Sequence, residues 1–273
     1  MKHSYIVLFL FISIFSFNSY ALGAKRPKAP STPVIPSVPA TPSNPTSPSA
    51  SSLNNPWKNI DSTIVIDAYE GNSIDWDKMA TDKKVGAVIH RSSSGLKTDS
   101  QYTARKKIAL QRGYLWGAYH LGQKGNTLAQ AKLFLSLVND EPNTLMILDL
   151  EDTGSGSFMT VDEAVVFMNY VYEQTGRTPV VYANQATTVA LNSKVKTNPL
   201  FQKSKLWYAR FKSSVTDFPV GIWSNYFLWQ FSSEINCTAT GSCLYNVPGT
   251  KFDMDVNVFY GPADELAAQW HND

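Results

Sequence analysis

The sequence predicts an α/β fold: an irregular, TIM-like β/α barrel of about eight strands with a helix-poor C-terminal third. Short apolar runs rich in β-branched and aromatic residues recur between residues 63 and 258. Segments with a helical pattern separate the first five runs, whereas loops join the last few. Strands that alternate with helices pair in parallel, and about eight of them can close into a barrel.

The first half of this domain alternates strands with helices. Asp75 is an N-cap candidate for a helix that begins at Trp76. After Asn126, a further helix carries apolar residues with the 3.6-residue period, at Leu128, Ala131, Phe134, Leu135 and Val138. Another helix is predicted at residues 102–111, and strands are predicted at residues 63–67, 85–89, 114–120 and 147–150.

The second half opens with a capping box. Thr160 precedes Glu163 by three residues, and apolar residues carry the helix on to Gly176. The remaining strands are predicted at residues 179–183, 205–209, 227–231 and 252–258. We predict no long helix between the last of these strands, which makes the expected barrel irregular.

The strand at residues 147–150 leads into two acids spaced two residues apart, Asp149 and Glu151. Side chains of a strand alternate between its faces, so both carboxyl groups are expected on one side, roughly 6–7 Å apart. Hydrolysis of a glycosidic bond needs one protonated and one ionised carboxyl group. The less solvated acid would be the one whose pKa is raised, and we assign that role to Glu151. Spacing alone favours a plain strand with a polar end, or a cation site, over a catalytic pair, so the rest of the chain must decide.

The N-terminus has the pattern of an export signal. Lys2 and His3 precede an apolar run from Tyr5 to Phe17. Ser19-Tyr20-Ala21 then supplies small residues at the positions that a signal peptidase prefers. We predict a signal peptide at residues 1–21, an extended Pro-rich linker at 22–56, and a glycoside hydrolase barrel domain at 57–273. Proline recurs at every third position from Pro27 to Pro48, which matches polyproline II. The expected location is periplasmic or secreted, with an uncleaved membrane anchor as the alternative.

Composition narrows the expected partners. The net charge is +2 without a basic stripe, so nucleic acid is not an expected partner. Cys237 and Cys243 are the only cysteines, and after export a disulfide between them is expected. Of the histidines, only His90 and His120 lie well inside the domain and neither is beside a cysteine, so we expect no metal and no cofactor.

Seven stretches between residues 63 and 261, nearly the whole predicted domain, form a recurring set of motifs. The stretches are Val65-Ile66-Asp67 with Gly71 to Trp76, Gly117-Ala118-Tyr119-His120, Leu148-Asp149-Leu150-Glu151, Val181-Tyr182, Leu206-Trp207-Tyr208-Ala209, Trp229-Gln230-Phe231, and Asp255-Val256-Asn257-Val258-Phe259. In this order they resemble the motifs of the family 25 glycoside hydrolases, the Chalaropsis-type lysozymes (N-acetylmuramidases).

The resemblance implies a role for each acid. Glu151 matches the general acid, and Asp149 matches the residue that steadies the substrate's N-acetyl group or acts as its electrostatic partner. Asp67 and Asp255 match two further active-site aspartates. It also implies that the substrate's own acetamido group can serve as the nucleophile, which would give retention of configuration. Asp253 competes with Asp255 for the last position, because both share a strand face.

The first loop departs from the family pattern. The segment from Ala68 to Ser73 is one residue shorter and adds an acid, Glu70, which either contacts substrate or is simply solvated. Aromatic rings can stack on sugars, and each candidate could equally belong to the core. The candidate substrate-binding aromatics are Tyr119, Tyr182, Trp207, Tyr208 and Trp229. His120 could bond a catalytic carboxylate or be a satisfied buried histidine, and Arg91 and Arg210 could pair with the acids.

The resemblance implies an exported muramidase that cuts the β-1,4 bond between N-acetylmuramic acid and N-acetylglucosamine in peptidoglycan. Peptidoglycan glycan strands are the expected partner, an inhibitor protein is a further possible one, and we expect a monomer without a membrane span in its mature form. The alternatives are a catalytically weak peptidoglycan-binding module, a regulated toxin effector, and a chitinase-like hydrolase.

Overall fold

Parallel strands in the computed structural model close into a barrel, as predicted. The structure describes residues 48–138 and 142–272. The sheet order is β1-β9-β8-β7-β6-β5-β4-β2-β3, and β1 also pairs with β2 to close the ring. The short β3 pairs only with β2 and lies outside the ring. The other eight of the nine strands found in the described residues form the barrel. The strands are β1 Thr63–Ala68, β2 Val85–Ser94, β3 Lys97–Thr98, β4 Leu115–Leu121, β5 Leu145–Leu150, β6 Val180–Asn184, β7 Leu206–Ala209, β8 Leu228–Ser232 and β9 Asp255–Phe259.

The helices confirm the predicted start signals. Asp75 accepts a hydrogen bond from Lys78 N at 3.1 Å. Thr160 and Glu163 form the capping box, and Gly176 ends that helix with φ 69°. Three helices were not predicted, α5, α6 and α7. In the described residues the helices are α1 Trp76–Met79, α2 Tyr102–Gln111, α3 Thr127–Val138, α4 Val161–Thr175, α5 Gln185–Lys194, α6 Pro199–Lys203 and α7 Ala263–Gln269.

The last strand reverses direction. β9 is antiparallel to both β1 and β8, whereas the other strands of the barrel pair in parallel. Its first residue, Asp255, therefore lies at the rim where the other strands end, and it is paired directly opposite Asp67. The chain then forms α7 at the opposite rim. Leu266 of α7 and Trp270, which directly follows the helix, pack against the apolar residues inside the barrel. The helix therefore closes the end of the barrel away from the acids.

Alternation along each strand separates two apolar layers. Val65, Ile89, Ile147 and Leu228 point into the barrel, where they form one cluster with Trp270. The intervening residues of the same strands point outward, where a larger cluster packs the sheet against the surrounding helices and loops. Which layer a residue joins decides whether it can reach the mouth of the barrel.

The domain edge and the disulfide lie on the periphery. Leu53 is buried, and its carbonyl accepts a hydrogen bond from Val215 N at 2.9 Å. Its packing belongs to the barrel although it precedes residue 57, the predicted start of the domain.

The predicted disulfide joins Cys237 and Cys243. The predicted signal peptide, and the linker before residue 48, lie outside the described residues. Among the described residues, no helix has the length and apolar character needed to span a membrane.

Candidate active site

The C-terminal rim of the barrel gathers acids from three strands. Asp67 lies two residues after the inward-facing Val65 on β1, and Asp149 lies two residues after the inward-facing Ile147 on β5. Alternation therefore turns both side chains toward the barrel interior. Asp255 enters from β9, opposite Asp67. Glu151 lies just past the end of β5 and lines the cleft above. The structure thus brings together the four acids that the sequence singles out.

An open cleft of about 360 Å³ lies over these acids. Glu151 and Asp255 form part of its wall, whereas Asp67 and Asp149 are buried, each only 6% exposed. Further acids reach the same space from the loop after β8 and from the segment before β9. The lining residues are Tyr69, Glu151, Tyr182, Asn184, Phe211, Gln230, Ser233, Glu234, Ile235, Asp253 and Asp255.

Asp149 is a buried acid with an unused oxygen. Its Oδ1 is buried and has no hydrogen-bond partner among the described residues. Burial raises the pKa of Asp149 well above its ordinary value, and the charges of Glu151, Asp67 and Asp255 raise it further. A buried polar atom without a partner is uncommon and suggests a site that a ligand completes.

Glu151 is half-buried at the cleft wall and is more solvated than the buried Asp149, so the expectation that Glu151 would be the less solvated of the two acids is wrong. Burial raises its pKa above the ordinary value for glutamate, and the neighbouring charge of Asp152 adds to the rise. Thr187, in the first turn of α5, donates its hydroxyl to the Glu151 carbonyl at 2.7 Å and so fixes the backbone that carries the acid. The raised pKa favours the protonated form of a carboxyl group that faces open space, and this is the form that general acid catalysis requires.

Two amides hold Asp67. Asn257 Nδ2 donates to its Oδ2 at 2.7 Å, and Gln230 Nε2 donates to the same oxygen at 3.0 Å. Burial raises the pKa of Asp67 to about 6, and these two hydrogen bonds limit the rise. The amides are themselves oriented, because Trp207 Nε1 donates to Asn257 Oδ1 at 2.6 Å and the Tyr182 hydroxyl donates to Gln230 Oε1 at 2.7 Å.

Gln230 and Asn257 were not singled out from the sequence. Both lie in stretches that carry the family resemblance, and both point inward by alternation, which is the signal that could have identified them. Their role is to support Asp67 from inside the barrel, and both are at most 2% exposed.

Replacing Asn257 with Ala is expected to lower the free energy of unfolding by about 1–3 kcal/mol and to raise the pKa of Asp67. The change leaves Trp207 Nε1 without its acceptor and removes a donor that favours the ionised carboxylate. Urea unfolding and a carboxyl NMR titration measure the two effects. Asn169→Ala, at an exposed position of α4, is the control. An Asp67 pKa that stays the same in Asn257→Ala would contradict this account of the network.

Both competing aspartates of the last strand region reach the cleft. Burial raises the pKa of Asp255 well above its ordinary value, with Asp67 as the largest charge contribution. Asp253 lies just before β9, and its carbonyl accepts a hydrogen bond from Asn72 Nδ2 at 2.9 Å. Only Asp255 pairs directly opposite Asp67, so it is the closer partner of the buried acids.

Glu70 anchors the first loop. Ser100 donates both its backbone N–H, at 2.9 Å, and its hydroxyl, at 2.7 Å, to Glu70 Oε2. These bonds lower the pKa of Glu70, and Arg91 contacts the other carboxylate oxygen at 3.2 Å. Glu70 does not line the cleft; the neighbouring Tyr69 does. The prediction that Glu70 contacts substrate is therefore not supported by its position.

Two of the predicted aromatic wall residues point the wrong way. Tyr208 and Trp229 lie on the outward faces of β7 and β8, are fully buried in the outer apolar layer, and bond Gln185 and the Arg210 carbonyl. The error follows from alternation, since Tyr208 cannot share a face with its neighbour Trp207. Tyr119, Tyr182 and Trp207 do belong to the inner layer, where Tyr182 lines the cleft. Tyr69 and Phe211 complete the wall and were missed.

The remaining predicted polar residues serve the scaffold. His120 is buried between Ser93 Oγ, at 2.8 Å, and Gln130 Oε1, at 2.9 Å, and burial lowers its pKa to about 4. Arg91 pairs with Glu70 and Asp99, and Arg210 pairs with Asp217 at 2.8 Å, so neither pairs with the rim acids. In the described part of the chain, no group of three or more acids, cysteines or histidines has the arrangement of a metal site.

The chain is similar to known proteins both in sequence and in fold. The family described as "Glycosyl hydrolases family 25" matches residues 66–239. A search of curated protein sequences found no match. Among solved structures, the bacterial lysozyme from Streptomyces coelicolor is 23% identical, with a TM-score of 0.60 over 77% of this chain and 97% of that one.

Two further solved structures are similar. A family GH25 lysozyme from Aspergillus fumigatus is 22% identical, with a TM-score of 0.60 over 77% of this chain and 99% of that one. The spore cortex lytic enzyme SleM of Clostridium perfringens is 21% identical, with a TM-score of 0.61 over 77% of this chain and 70% of that one. At these identities the structures establish a shared fold.

Proposed function

The chain belongs to the glycosyl hydrolases of family 25, and on that premise we propose that it is an exported muramidase. It would cut the β-1,4 bond between N-acetylmuramic acid and N-acetylglucosamine in peptidoglycan. The observation that carries the proposal is the pairing at the end of β5: a half-buried Glu151 at the cleft wall beside the buried Asp149, whose Oδ1 has no hydrogen-bond partner among the described residues.

Glu151 is the proposed proton donor. Its carboxyl group gives a proton to the glycosidic oxygen as the bond to the sugar's anomeric carbon breaks. A raised pKa favours the protonated form of Glu151, and the open cleft gives the substrate access to that proton. In the second step, the Glu151 carboxylate takes a proton from the incoming water, which restores the acid.

Asp149 is the proposed partner of the substrate's acetamido group. The oxygen of the acetamido group attacks the anomeric carbon to form a cyclic intermediate. The N–H of the same acetamido group donates a hydrogen bond to Asp149 as positive charge develops on that group. Such a donor would complete Oδ1, the oxygen that has no partner among the described residues. Hydrogen bonding to the ionised form lowers a carboxyl pKa, so substrate binding would release the proton that burial favours. Water then opens the intermediate, with overall retention of configuration.

Export is the remaining part of the proposal. It rests on the signal-like N-terminus and the proline-rich segment from Pro27 to Pro48, which would space the barrel from the point of attachment or release. The similar proteins include lysozymes and a spore cortex lytic enzyme, which is consistent with an enzyme that acts on cell-wall material. The proposed location is periplasmic or secreted.

Mass spectrometry of fragments released from purified peptidoglycan tests the function. We expect fragments with N-acetylmuramic acid at the reducing end, because the cut follows that sugar. N-acetylglucosamine reducing ends would contradict the assigned bond. Turnover of chitin oligomers alone would indicate a chitinase-like enzyme, and binding to cell walls without any release would indicate a binding module.

A further inference from the structure

We infer that a second pocket at the rim of the barrel binds the acidic peptide attached to the glycan, an inference that rests on the proposed function. The pocket has a volume of about 420 Å³ and lies between the β2–β3 turn and the loop after β4. Both segments follow the C-terminal ends of their strands, so the pocket opens at the same rim as the acidic cleft. Nothing in the proposed reaction uses it.

The pocket has the charge opposite to that of the cleft. Among the described residues that line it, Lys97 and Lys124 are the charged ones, and both are exposed. The cleft, in contrast, is lined by Glu151, Glu234, Asp253 and Asp255. Carboxylates on a substrate would be repelled by the cleft and attracted to the lysines. The rim therefore separates a place for the uncharged sugar rings from a place for negative substituents.

The wall of the pocket is held rigidly. The buried Gln130 donates to the Gln123 carbonyl at 2.7 Å and to the Gly125 carbonyl at 2.5 Å, and it accepts from Gln123 N at 3.0 Å. Gly125 N donates to Glu163 Oε1 at 2.7 Å. Asn126 has φ 51°, a left-handed conformation that asparagine tolerates better than most residues other than glycine. A preformed wall reduces the entropy lost when a ligand binds.

The pocket lies close to the backbone of Asp149, which does not itself line it. Leu121 of β4 is paired with Asp149, and Gly122 N donates to the Asp149 carbonyl at 3.1 Å. Gln123, the next residue, already lines the pocket, so its Cα lies about 4 Å from that of Gly122. The near edge of the pocket is thus a single residue away from the strand that carries the proposed partner of the acetamido group.

The chemistry of muramic acid matches this arrangement. Its acetamido group is on C2, and the lactyl ether that carries the peptide is on the neighbouring carbon, C3. A sugar with its acetamido group at Asp149 would start its peptide close to the same residue. Extended peptide advances about 3.3–3.6 Å per residue, so a few residues are enough to bring several carboxylates to Lys97 and Lys124.

Paired substrates test the inference. The Lys97→Gln/Lys124→Gln double variant and the wild type are compared on intact peptidoglycan and on glycan strands from which an amidase has removed the peptides. We expect KM for intact peptidoglycan to rise about fivefold to tenfold with kcat nearly unchanged, and no change on the peptide-free strands. The Lys107→Gln/Lys132→Gln variant, which removes the same charge from exposed positions of α2 and α3, should match the wild type on both substrates.

Three outcomes would overturn the inference. An unchanged KM on intact peptidoglycan, or an equal rise on both substrates, would mean that the lysines do not contact the peptide. An equal rise in the control variant would indicate a general charge effect. In each of these cases, wild-type cleavage of both substrates would leave the proposed muramidase function standing. A wild type that cuts neither substrate would overturn the function and the inference together.

Discussion

Glu151→Gln is expected to lower kcat on purified peptidoglycan about 10³-fold and to leave the fold intact. General acid catalysis contributes about 10²–10⁴-fold, and glutamine has the size of glutamate but no proton to give. Because Glu151 is only half-buried and its side chain makes no hydrogen bond among those found in the described residues, the substitution should shift the unfolding midpoint little. Reducing ends released per unit time measure the effect.

Asp152→Asn is the matched control for this variant. Asp152 is the neighbouring acid, is exposed, and contributes to the raised pKa of Glu151 without lining the cleft. Its replacement should preserve kcat within a few-fold at the optimal pH. Equal activity of Glu151→Gln and wild type would disprove the assignment of Glu151 as the acid.

Asp149→Asn is expected to lower kcat about 10²-fold and, at the same time, to stabilise the protein near neutral pH. Asparagine keeps the shape of the side chain but cannot balance the positive charge that develops on the acetamido group. It also removes a buried carboxyl group that Glu151, Asp67 and Asp255 surround with negative charge. Loss of activity with a gain in stability is typical of a residue retained for function.

The gain should grow with pH. In the unfolded chain Asp149 releases its proton with the ordinary pKa of 3.8. In the folded protein the pKa of Asp149 is raised, so the proton is released at a higher pH. Stability contributed by this group is therefore complete below that pH and falls as pH rises toward the folded pKa. Asparagine does not titrate, so the difference in unfolding free energy between variant and wild type should increase by about 1–3 kcal/mol from pH 4.5 to 7.5.

Urea unfolding at both pH values measures this difference. Asp61→Asn, at an exposed position, is the control and should show no pH-dependent gain. A variant that is less stable than the wild type at pH 7.5, or equally active, would contradict the role given to Asp149. The difference between variants is the useful quantity, because His90 and His120 also change the pH dependence of the wild type: burial lowers each pKa to about 4.

Much of this site could be predicted from the sequence because its signals are local. The two-residue spacing of Asp149 and Glu151 and the apolar run before them require only strand geometry. The Thr160 capping box and Gly176 fixed the bounds of α4 in the same way. Barrel closure followed from the number and alternation of the elements.

What the sequence did not reveal depends on contacts between distant residues. Trp229 and Tyr208 had the right residue type for a sugar wall. Alternation shows only that Tyr208 and Trp207 face opposite sides of their strand, and the closed sheet decides which side faces the interior. Gln230 and Asn257 are more than 150 positions from Asp67, at separations of 163 and 190 residues, and nothing local shows that they meet. The short helices α5 to α7 lack a strong apolar period and owe their stability to packing.

Carbon-13 NMR titration of the glutamate side-chain carboxyl groups, in wild type and in Glu151→Gln, tests the central claim most directly. The account predicts one signal that titrates clearly above 4.5, the ordinary glutamate value, and that is missing from the variant. A wild-type spectrum in which the signal lost on substitution titrates at or below that value would show that Glu151 is not held ready as a proton donor.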